Sequence, residues 1–128
     1  MLPEWPVQRH YASMRAHDDE QLDVAAEVLA HLADPTRLHL LRLLAEEQDV
    51  STLTAQVAAS RSSVSQHLGR LRFAGLVRAR REGRRMLYRI TSDHLTELVA
   101  QALEFAGHTV HGIPHHTRDG REGEELTG

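Results

Sequence analysis

Within thirty residues the hydrophobic period of this chain changes once, and that change limits the folds available to it. "RSSVSQHLGRLRFAG", residues 61–75, places Val64, Leu68 and Leu71 on one side at helical spacing and ends in glycine. "LVRARREGRRMLYRI", residues 76–90, follows directly. There Leu76, Met86, Tyr88 and Ile90 alternate with arginines on either side of "REGR", as the strands of a hairpin do. A helix feeding straight into a short basic hairpin is a sequence solution few folds share.

The segments upstream supply the helices such a motif needs. "DDEQLDVAAEVLAHLA" predicts a helix from about Asp18 to Ala33, with Leu22, Ala25, Ala26, Leu29 and Leu32 on one face. Its opening acids suit the positive end of the helix dipole. "ADPTRLHLLRLLAEEQ" starts a second helix, with Asp34 as cap and Pro35 at the first helical position. Leu38, Leu41, Leu44 and Ala45 form its buried stripe. "DVSTLTAQVAAS" predicts a third helix capped by Ser51, packing Leu53, Val57 and Ala58 inward. After the hairpin, "SDHLTELVAQALEFAGH" predicts a closing helix capped near Ser92, which Gly112 and Pro114 bring to an end.

The expected order is therefore α-α-α-α-β-β-α: a mainly α domain with a small β-hairpin wing, a winged helix-turn-helix. Residues 18–108 form that domain. Residues 1–17 read as a flexible N-terminal arm and 109–128 as a His-rich C-terminal tail. At 128 residues the chain is one domain. Without cysteine it excludes thiolate metal sites, thiol catalysis and disulfide scaffolds. No apolar run nears the roughly 18 residues that span a bilayer, and "MLPEWPVQRH" has no signal-peptide core, so a cytoplasmic protein without membrane partners is expected.

The net charge of −3 conceals three blocks. Residues 1–60 sum to −6, residues 61–89 carry nine arginines against Glu82 and sum to +8, and residues 90–128 sum to −5. A basic block inside an acidic chain is the footprint of a polyanion partner, here double-stranded DNA. On the second helix of a helix-turn-helix, Ser62, Ser63, Ser65, Gln66 and Arg70 are the groups placed to reach phosphates and base edges. His67 is either a contact or a packed partner. At the hairpin tip, Arg80, Arg81, Arg84 and Arg85 surround a glycine turn, placed to follow the backbone or enter a minor groove. No HExxH and no nucleophile–base pair is present, so the chain is not expected to be an enzyme.

"LADPTRLHLLRLL", "SSVSQHLGRLRFAGLVRARREGRRMLYRI" and the closing helix resemble the ArsR/SmtB family of bacterial winged-helix repressors, across roughly residues 20–108. The resemblance implies a homodimer joined by its first and last helices. It also implies a repressor that holds an imperfect palindrome until an effector binds. Many such effectors are metal ions. The resemblance also covers repressors that answer to a non-metal effector or to no ligand, and that is the alternative reading of this chain.

Four of the ten histidines, His108, His111, His115 and His116, fall within nine residues. With cysteine absent, imidazole and carboxylate donors point to Ni(II), Co(II) or Zn(II). In the family's closing-helix site, His94 matches the early histidine and His108 the last ligand. Ser92 stands where the pattern has Asp, and Phe105 replaces its third ligand. "HGIPHH" resembles the tail of the nickel- and cobalt-responsive members, with His116 matching a tail ligand. Gly107 and Thr117 depart from that tail pattern. His111, His115, Glu104 and Asp93 are the substitutes available. Independently, His94 and His108 lie about 40° apart around a helix and about 21 Å apart along it. They cannot share an ion within one helix, but two antiparallel copies crossing near Gln101 bring them level, giving two equal sites. His10 and His17 are further donors in the arm, and His31 and His39 read as packing or surface residues.

Overall fold

The structure, a computed structural model, describes residues 6–112, with side-chain surroundings from residue 17 onward. The elements run α1 (Pro6–Leu32), α2 (Pro35–Leu43), β1 (Gln48–Asp49), α3 (Val50–Gln56), α4 (Arg61–Phe73), β2 (Val77–Glu82), β3 (Arg85–Ile90) and α5 (Asp93–His111). Four helices precede a hairpin and a fifth follows it, as the periods predict.

Three local expectations are corrected. The first helix begins at Pro6 rather than near Asp18, within the segment read as an arm. The third helix is capped by Asp49 rather than Ser51, with the Asp49 carboxylate accepting the Thr52 N–H at 2.7 Å. A two-residue strand, β1, joins the hairpin, giving the antiparallel order β1-β3-β2 with Gln48 opposite Tyr88 and Asp49 opposite Leu87.

The Asp34 and Ser92 caps fall where the sequence puts them, and Ser60, read only as a turn residue, caps α4. Asp34 accepts the Arg37 N–H at 2.9 Å, Ser60 that of Ser63 at 3.1 Å, and Ser92 that of His94 at 3.1 Å. Each such cap contributes about 1 kcal/mol by satisfying a donor the helix leaves over. Arg37 holds the Asp34 carboxyl below its usual range, chiefly through that backbone N–H and then through its charge. Helix α4 ends with Gly75 N–H on the Arg72 carbonyl and Leu76 N–H on the Leu71 carbonyl. That pairing needs a left-handed residue, supplied by Gly75 at φ 79°. It turns the chain directly into the wing.

One core joins the helices and the base of the wing. Leu40, Leu41 and Leu44 of α2 and its C-terminal end, Leu53 of α3, Val64, Leu68 and Leu71 of α4, Val77 and Ile90 of the wing and Leu95 and Val99 of α5 are all buried together. Backbone bonds from Ile90 N to the Leu44 carbonyl and from Thr91 N to the Leu76 carbonyl tie the wing base to it. Leu87, unplanned in the sequence pattern, is buried on the opposite sheet face, where Arg80 and Asp49 are its register partners. Ala58, predicted to pack inward, is exposed, and most of the apolar face of α1 is uncovered in the single chain, Leu22 at 68% and Leu29 at 53%. Only the C-terminal end of α1, through Val28 and Leu32, reaches the core.

Candidate nucleic-acid interface and effector face

Helix α4 is divided cleanly. Val64, Leu68 and Leu71 hold it to the core, while Ser62, Ser65, Gln66 and Arg70 are exposed on the far side. Ser63 is half-buried, its N–H used in the Ser60 cap. Phe73 continues the line of Gln66 and Arg70 and is 96% exposed. His67 sits on the flank. Its Nδ1 lies 3.4 Å from Arg37 Nη1, and Arg37 Nε donates to the His31 carbonyl at 2.5 Å. His67 is half-buried beside Arg37, so it has a packed neighbour and keeps part of its surface open to solvent.

The wing arginines separate into two kinds. Arg80 donates through Nε to Glu47 at 2.8 Å and through Nη2 to Glu47 and to Glu82 at 3.1 Å. Arg85 reaches Asp49 at 3.3 Å and Glu82 at 3.9 Å. The Arg80 hydrogen bond and charge hold the Glu47 carboxyl below its usual range. Asp49 is lowered first by the Thr52 N–H and hydroxyl and then by Arg85. These are exposed pairs and add little to stability, but they fix which cations are engaged. Among the described residues, no ion pair engages Arg81 or Arg84, both of them exposed. A two-residue turn, Gly83–Arg84, sets Arg84 at the tip, with Gly83 at φ 62° meeting the turn's demand for a positive φ at its first position. Arg61, absent from the sequence-based set, opens α4 and donates Nη1 to Ser51 Oγ at 2.8 Å. Its position at the junction of two helices was the available signal.

On α5 the candidate donors form a pattern. Asp93, His94 and Glu104 are exposed, His108 is half-buried, and His111 is exposed at the last helical position before Gly112. At 100° per residue these five fall within an arc of about 100°, turned away from buried Leu95 and Val99. Leu98, Gln101 and Phe105 share that arc's edge, with Leu98 40% and Phe105 64% exposed. Along the axis the donors fall into two groups, with about 15 Å between His94 and Glu104. No group of three metal-binding side chains assembles within one chain among the described residues. His115 and His116 lie outside the described residues. Imidazole and carboxylate donors fit nickel, cobalt or zinc in chemistry.

A helix-turn-helix with its second helix exposed along a polar face, followed by a basic wing and a closing helix, defines a winged-helix DNA-binding regulator. The chain belongs to the ArsR family. The family model described as "Bacterial regulatory protein, arsR family" matches residues 34–79. The HTH-type transcriptional regulator KmtR of Mycobacterium tuberculosis is 45% identical over 101 residues, 78% of either chain. The HTH-type transcriptional repressor SmtB of the same species is 40% identical over 89 residues, 69% of this chain and 66% of that one. Among solved structures, the homodimeric winged helix-turn-helix DNA-binding domain Mb0332 of Mycobacterium bovis is 34% identical with a TM-score of 0.66. That match covers 78% of this chain and 94% of the other. The relatives are transcriptional regulators, and regulation of transcription is the activity of this chain. Among the described residues no helix is long and apolar enough to cross a membrane.

Proposed function

We propose that the chain is a metal-responsive repressor whose metal-free homodimer holds a palindromic operator and is released by Ni(II) or Co(II), with Zn(II) as a further ligand, bound between the subunits on α5. The observation that carries this reading is the distribution of donors on one uninterrupted helix. Asp93 and His94 stand at one end and Glu104, His108 and His111 at the other, on one arc. An antiparallel pair of α5 helices sets the first group of one chain beside the second group of its partner, twice, by symmetry. His115 and His116 follow that second group closely in sequence.

The exposed apolar residues support the dimer. Leu98 and Phe105 on α5 and Leu22 and Leu29 on α1 are left uncovered by a single chain. The Mycobacterium bovis relative is described as a homodimer. Two α4 helices in such a dimer meet half-sites about 34–36 Å apart only in one relative orientation of the subunits. A bound metal supplies a link between the two α5 helices. His94 and His108, holding that link from opposite subunits, bias the dimer toward an orientation in which the α4 helices no longer fit. Linkage requires that DNA weaken metal binding by the same factor.

Calorimetry with nickel, cobalt and zinc tests the site directly. Two ions per dimer at tight affinity are expected. No stoichiometric binding of any of the three would remove the metal and leave a regulator answering to another effector.

A further inference from the structure

A groove of about 320 Å³ runs between the start of α3, the start of α4 and the wing. Arg61, Arg84 and Arg85 line it, together with Ser51, Asp49 and Tyr88. Three guanidinium groups face one carboxylate there, so the groove is positive. The carboxylate is already engaged, since Asp49 accepts the Thr52 N–H and meets Arg85 at 3.3 Å. Arg61 is steadied by its bond to Ser51, while Arg84 stands exposed at the turn. Planar forks of N–H donors converging on a small polar space match a tetrahedral oxyanion.

The position of the groove says which oxyanion. Ser62, Ser65 and Gln66 follow Arg61 on the exposed face of α4, and Arg81 and Arg84 lead the wing. A duplex that takes α4 in its major groove and the wing against the next minor groove must carry one phosphate strand across the gap between them. The groove lies in that gap. We propose that it is a phosphate clamp, seating one backbone phosphodiester of bound DNA between Arg61 and Arg84, with Asp49 restraining Arg85 beside it. This rests on the reading that the chain binds DNA through α4 and the wing.

The clamp makes distinct demands on Arg61→Gln, Arg84→Gln and Asp49→Asn, assayed as full-length protein on the chain's own operator and on random DNA across a salt series. Each arginine variant should lower the slope of log affinity against log salt by about one, the loss of one phosphate contact. Operator and random DNA should weaken alike, because a phosphate carries no sequence. A duplex with a neutral methylphosphonate at one position flanking the half-site should bind the wild type more weakly and both arginine variants no more weakly than before. Asp49→Asn keeps a capping side chain and releases Arg85, so it should bind DNA more tightly with a steeper slope. Unchanged slopes in both arginine variants, losses confined to the operator, or weaker binding by folded Asp49→Asn would each overturn the clamp. A wild type that binds no DNA would instead fail the reading beneath it.

Discussion

A dimer carrying His94→Ala or His108→Ala is expected to hold its operator as the wild type does and to keep holding it when nickel or cobalt is added. Both side chains lie on the arc of α5 turned away from buried Leu95 and Val99, so neither truncation opens a cavity in the domain's core. Neither belongs to α4 or the wing, so the DNA-binding surface is unchanged. What is lost is a donor at each of two equivalent sites. Allosteric couplings of this kind are commonly worth about 1–3 kcal/mol, a change of roughly 5- to 150-fold in operator affinity. That whole change should vanish, not merely shrink, because in the proposed site His94 and His108 carry the link from opposite subunits, and losing either leaves one subunit without its anchoring imidazole. Operator affinity with and without buffered free metal measures it. Variants that still release normally would place the effector site elsewhere on the chain.

The double substitution Leu98→Glu/Phe105→Glu should separate the subunits and, with them, operator binding. Leu98 and Phe105 lie seven residues apart on the arc that carries His94 and His108, the spacing of a helix–helix seam. Two carboxylates per chain, position 98 of one helix level with position 105 of its antiparallel partner, set like charges against each other in a desolvated interface. The fold of the single chain should survive, since both residues are exposed in it and glutamate is a good helix former. A monomer must then find each half-site separately. Losing the linkage between two reading helices costs roughly 10²- to 10⁴-fold in operator affinity. Sedimentation equilibrium reads the assembly and circular dichroism the helix content. A variant that remains dimeric would show that the subunits join through another face.

Most of the fold could be read because its signals are local. The change of period at Gly75, the Asp34–Pro35 start and the Ser92 cap each lie within a few residues, and each falls where the sequence put it. Strand β1 could not be read, since two residues have no period and its partner, β3, is about forty residues away in sequence. Asp49 and Ser51 are both good caps two residues apart, and local chemistry does not rank them. Asp49 also meets Arg85, a contact visible only in three dimensions. The same holds for the site. Charge pattern marked the wing as basic, but only the fold shows Arg80 and Arg85 engaged with Glu47 and Asp49 while Arg84 and Arg61 face a common groove. The face of α1 was legible as apolar, and the family resemblance implied that it joins a second copy of the chain. Its exposure in one chain shows that a sequence reports which residues seek cover, not whether that cover comes from the same chain.

The most direct test of the account is a fluorescence-anisotropy titration of the wild-type protein on the DNA upstream of its own gene. It should be run without metal and then at buffered free nickel, cobalt and zinc. The account predicts tight binding of the metal-free protein and release by nickel or cobalt. Tight binding that none of the three metals disturbs would contradict it, and the histidines of α5 would not be the switch.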